Sequence, residues 1–455
     1  MNRHKDRLDW KQRQSRPVKS SSFPGSHLEN NYPILNQYFK ALPRVLSTSE
    51  PEKKMSATSI NVTKFASSTT PSSRAHHVGN PPTSFINPWP SFHQHSPFEF
   101  ISTSLRNRDF KPVPSPDKLV PVQRPTWGID KSGLKATWIG HASFLIETPP
   151  SALGADRGLR ILLDPVFSER TSPVSWAGPK RYNPTPCTLD ELPDVDIVAI
   201  SHDHYDHMDS DTLLKTFTRR RGHVHFLVGL GSAARLRGFG IANEAVTELD
   251  WWEGARIDVV GLGSVSMTCT PSQHFSGRGI FDRGSTLWCS WVLETCPVNA
   301  DPEPHSNDKN TDTDNGKFSN SNNSGTKKLF FAGDTGYRHV PHGSLETTMP
   351  SCPAFREIGA HFGPFDLALL PIGLYAPREL LSPVHCTPED AMCLHKDLRS
   401  RRSIGMHFGT VRGGISQYFE EVTEPPRRFR EACEREGERW GEEVGVLEIG
   451  ETAIV

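Results

Sequence analysis

The chain has little that would hold a metal through sulfur. Its 455 residues include 8 cysteines, and no two of them form a Cys-x-x-Cys pair. That spacing excludes a thiolate zinc ribbon and offers no disulfide framework, so a reducing intracellular compartment is expected. Long apolar runs are missing too. No stretch reaches the roughly 20 residues that span a bilayer. No apolar core follows Met1 as it would in a secretory signal. Contact with a membrane is therefore expected to be peripheral. Charge of one sign is also lacking, since 51 Lys and Arg face 52 Asp and Glu. Nothing global attracts a polyanion, and nucleic acid is not an expected partner. Hydrophobic residues make up 35% of the chain and there are 38 prolines, a balance that points to some unpacked sequence.

Two segments account for it. Residues 1–84 are rich in Ser, Asn, Pro, Lys and Arg, and the first eighty carry 13 Lys and Arg against 5 Asp and Glu. They are expected to form a disordered basic arm. A mitochondrial transit peptide has this composition, although Asp6 and Asp9 sit where such peptides avoid acids. Within the arm, Leu35, Tyr38, Phe39, Leu42, Val45 and Leu46 recur at helical spacing. They predict a short amphipathic helix over 32–46, with Pro43 stopping or kinking it. It either packs on the main domain or lies in a membrane interface beside Lys40 and Arg44. Residues 297–326 are dominated by Asn, Asp, Ser, Pro, Lys and Thr. They are expected to be a disordered insertion between strands of a hydrolase domain covering 85–455.

Strand signals recur from residue 135 onward. Segments 136–148, 160–167, 195–200, 223–228, 257–262 and 265–270 carry them, as do 288–295, 328–332, 365–372 and 403–407. Helical patterns are fewer, at 210–218, 389–398 and 426–436. Thr387-Pro388-Glu389-Asp390 supplies an N-cap, an N1 proline and first-turn acids for the second, and Gly437 stops the third. Two β-rich halves with helices outside predict an α/β fold, an αββα sandwich.

The most informative stretch is Ser201-His202-Asp203-His204-Tyr205-Asp206-His207, directly after the apolar run Val195, Ile197, Val198, Ala199, Ile200. The run reads as a buried strand, and ligands of open α/β sheets gather at the C-terminal ends of strands. Neutral imidazoles and carboxylates together suit zinc, and two such sets side by side hold two ions. A lone histidine at a strand end is usually only a hydrogen-bonded polar group. Here, however, the placement repeats. One apolar segment runs into His274, a second into Asp334 and a third into His407. Four strand ends offering His or Asp argue for one shared site.

Together these motifs resemble the metallo-β-lactamase superfamily, and within it the N-acylphosphatidylethanolamine-hydrolysing phospholipase D family. The supporting phrases are FINPW at 85–89, TWIGHAS at 137–143, GPK at 178–180, SHDHYDH at 201–207 and ELDWW at 248–252. TPSQH at 270–274, FFAGDTGY at 330–337, FGPFDL at 362–367 and PIG at 371–373 complete the set. The resemblance implies a fold of the metallo-β-lactamase type and two zinc ions. One would be held by His202, His204 and His274 with Asp334, and the other by Asp206, His207 and His407 with Asp334 bridging. A pair of ions about 3.5–4 Å apart supplies a hydroxide nucleophile at neutral pH. In-line attack by that metal-bound hydroxide on the diester phosphorus would release N-acylethanolamine and phosphatidate.

Asp206 and His385 are expected to be catalytic, and His385, Gln273 and Tyr205 to contact substrate. His385 could instead be a surface histidine ahead of a helix. The resemblance also implies a phospholipid substrate at a membrane surface and a homodimer. Trp176, Lys180, Arg181 and Tyr182 are either a headgroup-binding cluster or a solvated loop with one buried Trp. The chain departs from the family at Phe408, where Trp is usual, and in the segment 338–350, which looks inserted. Competing readings are a sugar-phosphate lactonase, a nuclease and a non-enzymatic membrane scaffold. The neutral charge balance argues against the nuclease and the intact ligand set against the scaffold.

Overall fold

Short apolar runs set off by Gly, Pro and Asp pack as strands throughout. The structure is a computed structural model that describes residues 59–66, 74–105, 109–129, 132–279, 281–296 and 325–455. The helix expected over 32–46 and nearly all of the expected 297–326 insertion lie outside these residues. In chain order the described strands are β1 (Ile60–Ala66), β2 (His77–Val78), β3 (Ser84–Phe85), β4 (Lys135–Gly140), β5 (Ser143–Glu147) and β6 (Arg160–Leu163). There follow β7 (Ile197–Ala199), β8 (His225–Gly229), β9 (Val246–Leu249), β10 (Glu253–Val259), β11 (Gly263–Thr270) and β12 (Ser290–Thr295). The last are β13 (Lys328–Phe331), β14 (Leu367–Pro371), β15 (Ser403–Met406), β16 (Val444–Val446) and β17 (Thr452–Ile454). The helices are α1 (Pro97–Ser104), α2 (Ser210–Arg219), α3 (Ala233–Gly238), α4 (Ala354–Phe362), α5 (Arg378–Leu381), α6 (Pro388–Asp397) and α7 (Glu424–Arg435).

An eight-stranded sheet runs β1-β10-β11-β12-β13-β14-β15-β16, and a seven-stranded sheet runs β17-β4-β5-β6-β7-β8-β9. Their facing sides share one apolar core, in which Trp138 and Phe144 of the smaller sheet meet the cluster of Trp291 and Phe331 of the larger. Burying each such aromatic contributes about 1.5–3 kcal/mol relative to exposure. Helices α2 and α3 cover the outer face of the smaller sheet, packing Leu213 and Leu236 with Leu162, Val198 and Phe226. Helices α4, α6 and α7 bring Phe355, Leu394 and Phe429 to the larger sheet. The expected αββα sandwich is what the chain forms. Strand β7 has parallel neighbours on both sides and is buried on both faces, so its run is apolar without alternation.

Strand direction explains how one site can draw on both sheets. In the smaller sheet β6 and β7 are parallel, and β4 reaches β6 through two antiparallel pairings, so all three point the same way. In the larger sheet β13, β14 and β15 are parallel, and β11 joins them in direction through antiparallel β12. Within each sheet, the C-terminal ends of these strands therefore share one edge.

Two expectations are corrected here. The domain does not begin at 85, because β1 pairs antiparallel with β10 along its whole length. Ile60 and Val62 pack against the core, and the polar composition of the surrounding arm hid this short alternating strand. Residues 136–148 are not one strand but the pair β4–β5, turned at Gly140 and His141. Both turn residues adopt positive φ, 103° and 54°. The capping expectations hold. The Asp390 amide donates to Thr387 Oγ1 at 3.0 Å, Pro388 opens α6, and Gly437 follows α7 at φ 80°.

Candidate metal centre

Each strand edge ends in a side chain aimed at one buried point. The turn after β4 gives His141, the end of β6 gives Asp164, and the loop after β7 gives His202, His204, Asp206 and His207. From the larger sheet, β11 leads to His274, β13 to Asp334 and β15 to His407. His202, His204, His207, His274, Asp334 and His407 are all buried. Backbone strain marks the place. Asp164 and His407 sit at φ 39° and 64°, a region where non-glycine residues are held only by their surroundings.

The first set is His202, His204 and His274. Their outer ring nitrogens have acceptors to donate to: Ser201 Oγ for His202 Nδ1 at 2.9 Å, Gly277 O for His204 Nε2 at 3.3 Å and Val384 O for His274 Nδ1 at 2.9 Å. Ser201 Oγ spends its own proton on Asp164 at 2.5 Å, so it accepts from His202. Those bonds assign the tautomers and leave three lone pairs facing inward. His202 Nε2 lies 2.8 Å from His204 Nδ1, which lies 3.3 Å from His274 Nε2. Lone pairs that close repel unless a cation lies between them. Burial holds His202 and His204 well below the usual imidazole range and His274 at about 4, so all three stay neutral, as metal ligands must.

The second set is Asp206, His207 and His407, joined by His141. The ligand atoms of these four lie within 4.8 Å of one another. Asp334 stands between the sets. Its Oδ1 is 2.8 Å from His407 Nε2, and its Oδ2 is 3.3 Å from His207 Nε2 and 3.7 Å from His274 Nε2. Yet Asp334 Oδ1, His207 Nε2 and both His407 nitrogens are buried without an aligned hydrogen bond. Orphaned atoms of this chemistry fit a cation better than they fit one another. Burial opposes charge on His207, but Asp334 and Asp164 outweigh it and raise its pKa well above the usual range. Burial likewise opposes ionisation of Asp206 and Asp334. Arg278 and His141 overcome it for the first, His207 and His407 for the second, and both carboxyls titrate far below normal. Two ionised carboxylates among imidazoles are a donor set for a divalent metal, which would displace the proton that Asp334 and Asp164 favour on His207.

A second layer fixes these groups. Asp164 accepts from His207 Nδ1 at 2.7 Å and from the Ser201 amide at 2.7 Å. Asp203 accepts from the Gly277 amide and pairs with Arg235 at 2.6 Å. Gly333 sits at φ 58°, where a Cβ would fall 2.5 Å from Ser201 Cβ. The expected insertion, 338–350, lies against α5 and α6. Arg338 pairs with Asp390 at 3.0 Å, and Arg378 links Glu346 to Asp390 and donates to the His385 carbonyl.

The structure brings together all seven residues expected as ligands. His385 joins them, its Nδ1 3.9 Å from Asp334 Oδ2 and its ring stacked 5.5 Å from His407, so it is no surface histidine. Tyr205 is exposed on the loop rim. Gln273 is not placed to bind substrate, because its side chain is fully buried and committed. It accepts from Ser91 Oγ at 2.6 Å and donates to the Pro383 and Ser91 carbonyls. At 176–182 the Trp expected to be buried in the loop reading is not buried, and of the basic residues only Arg181 turns inward. Arg181 is buried and donates to Val166 O, Lys180 pairs with Glu169, and Trp176 stands exposed.

His141, Asp164 and Arg278 were missed by the sequence reading. His141 Nε2 lies 3.2 Å from Asp206 Oδ2, and Arg278 donates to Asp206 Oδ1 at 2.9 Å. Gly140-His141 in the TWIGHAS phrase was the available signal for the first.

Fold and site together define a metal-dependent hydrolase. The beta-lactamase superfamily domain matches residues 159–300 and 296–408. An N-acyl-phosphatidylethanolamine-hydrolyzing phospholipase D 1 of Caenorhabditis elegans is 32% identical over 339 residues, 72% of this chain and 81% of that protein. A mitochondrial N-acyl-phosphatidylethanolamine-hydrolyzing phospholipase D of Saccharomyces cerevisiae is 29% identical over 375 residues, 75% of this chain and 70% of that one. Among solved structures, a metallo hydrolase of Ignicoccus hospitalis aligns with TM-score 0.41 and 19% identity, covering 71% of this chain and 99% of its own. The chain belongs to the N-acyl-phosphatidylethanolamine-hydrolyzing phospholipase D family of the beta-lactamase superfamily.

Proposed function

We propose that the protein is a zinc phosphodiesterase that hydrolyses N-acylphosphatidylethanolamine to N-acylethanolamine and phosphatidate. The observation that carries this reading is the convergence of two inward-facing donor sets on Asp334. Imidazoles with carboxylates are the donors zinc takes. His202, His204 and His274 would hold one ion, Asp206, His207 and His407 the other, with Asp334 shared. Bound there, the ions would supply Lewis acidity and a nucleophile at neutral pH.

The remaining work falls to side chains. Arg278 is half exposed beside Asp206 and offers its guanidinium to a phosphodiester anion. His385 stands at the centre, its Nδ1 3.9 Å from Asp334 Oδ2, and burial keeps it neutral at rest. It takes the attacking water's proton and passes it to the leaving alkoxide. Asp206 orients the second set through His141 and Arg278.

A diacyl substrate requires contact with a bilayer. Among the described residues no helix is long and apolar enough to cross a membrane. Helix α1 and its C-cap instead expose Phe98, Ile101 and Leu105 along one side, at 79%, 56% and 70%. That apolar face suits peripheral attachment to an intracellular membrane, with the mitochondrial membrane suggested by the yeast relative's name. The test is mass spectrometry of products from mixed phospholipid vesicles, with and without chelator. Chelator-sensitive release of N-acylethanolamine is expected. Products cut elsewhere, or release that ignores chelator, would overturn the reading.

A further inference from the structure

Outside the centre, a second group of imidazoles surrounds one carboxylate. His93 and His95 lie in the loop that leads into α1, and Glu99 is the third residue of that helix. The capping box fixes Glu99. Its Oε2 accepts from the Ser96 amide and the Ser96 hydroxyl, both at 2.8 Å. Its Oε1 is left facing the histidines, 3.1 Å from His93 Nε2 and 3.9 Å from His95 Nδ1. One ligand atom from each of the three lies within 4.8 Å of the others. His339 closes the group, stacked on His93 at 4.5 Å and edge-on to His95 at 5.5 Å. Its amide donates to the Ser91 carbonyl at 2.8 Å.

Three of these nitrogens have no well-aligned hydrogen bond, and only the Leu380 carbonyl near His95 partly offsets that. They are both ring nitrogens of His95 and Nδ1 of His339, all buried. Such atoms are costly to leave unpaired. Burial, with the neighbouring histidines, holds His339 at about 4 and keeps His95 below its usual range. Glu99 and the Leu380 carbonyl favour charge on His95, while Arg283 opposes it. Arg378 opposes charge on His339, but its guanidinium is paired with Glu346 and Asp390. A packed stack of neutral histidines would explain the ring contacts. It would not explain why both ring nitrogens of His95 go unpaired beside Glu99 Oε1, the oxygen that already meets His93 Nε2 at 3.1 Å. Another imidazole group, His76 and His77 with Asp250, lacks this character because the Arg74 guanidinium already lies 2.8 Å from Asp250 Oδ2.

We propose that His93, His95 and Glu99, walled by His339, form a separate site for one divalent transition-metal ion of the zinc, nickel and copper class. Two imidazoles and a carboxylate are a donor set such ions accept, with a fourth position open to water or to His339. Ligands on one tetrahedral zinc stand about 3.4 Å apart, so a modest turn of the His95 ring completes the set. The outer oxygen bonded to Ser96 plays the orienting part that ligating carboxylates normally require. Occupancy would clamp the start of α1, whose apolar face is exposed, to the segment that follows Asp334.

The test counts metal in the full-length protein, equilibrated with excess zinc, gel-filtered and measured by mass spectrometry. Wild type is expected to retain one equivalent more than His93→Ala and one more than Glu99→Gln. His204→Ala is expected to keep this equivalent while losing metal from the buried centre. His93 is partly exposed, so its replacement should leave the fold intact, and circular dichroism checks this. Equal zinc in wild type, His93→Ala and Glu99→Gln would overturn the site. The count does not depend on which lipid is hydrolysed, so it stands or falls apart from the proposed reaction.

Discussion

The two sheets contribute to the centre in different ways. The seven-stranded sheet delivers four side chains from a single loop, His202, His204, Asp206 and His207, within six residues of one another. The eight-stranded sheet delivers one each from three strand ends, His274, Asp334 and His407, spread over more than a hundred residues. Geometry within the first is set by neighbours in the same sheet, by Ser201 at the head of the loop and Asp164 at the end of adjacent β6. Geometry within the second depends on strand register, because β11, β13 and β15 must end at the same edge. Local sets tolerate loss of one member differently from dispersed ones, and substitutions can separate the two cases.

The largest effect is expected at Asp334, which both sets share. Asp334→Ala should remove metal from both sets and lower turnover on the order of 10³-fold or more. Metal content by mass spectrometry, read beside vesicle hydrolysis, checks it. His204→Ala should also abolish turnover, yet the Asp206, His207 and His407 set remains complete. The variant should therefore stay folded and retain about half of the buried metal. Full activity in it, or equal metal loss in the two variants, would show that the sets are not divided as described. A smaller effect is expected behind the ligands. Asp164→Asn removes the charge that orients His207, and supports of this kind are worth about 10–100-fold in metal affinity or activity.

The same contrast decides what sequence alone revealed. The SHDHYDH loop is legible because its donors are neighbours and an apolar run precedes them. His274, Asp334 and His407 were legible as strand ends, but their meeting depended on topology that no short window contains. His141 was lost because 136–148 looked like one apolar strand, and the turn that aims it occupies only two residues. Gln273 was misjudged for the opposite reason. It neighbours a ligand in sequence, yet Ser91, 182 positions away, takes its polar atoms. Strand β1 was hidden by the composition of its surroundings. Its pairing partner β10 lies nearly 200 residues later, and edge pairing leaves little mark on the sequence of the edge strand.

The halves should also differ in their response to pH, with effects on stability rather than on rate. On the smaller sheet, burial holds His225 at about 4, and its Nε2 meets Thr247 Oγ1 at 2.8 Å. Below its ordinary value of 6.5 the unfolded chain takes up a proton that the folded chain refuses. Stability from His225 is therefore present above pH 6.5 and is lost as pH falls toward 4. Between β15 of the larger sheet and α7, burial raises Glu420 to about 7 although it accepts from the Leu374, Tyr375 and Ala376 amides that follow β14. Its contribution has the opposite sign, complete below pH 4.5 and lost as pH rises through 7. Each is about 3 kcal/mol at the far end of its window. Denaturant unfolding from pH 4 to 8 should show His225→Gln flattening the acid side and Glu420→Gln the neutral side. Identical shifts from both substitutions would mean that neither group titrates independently of the core that joins the sheets.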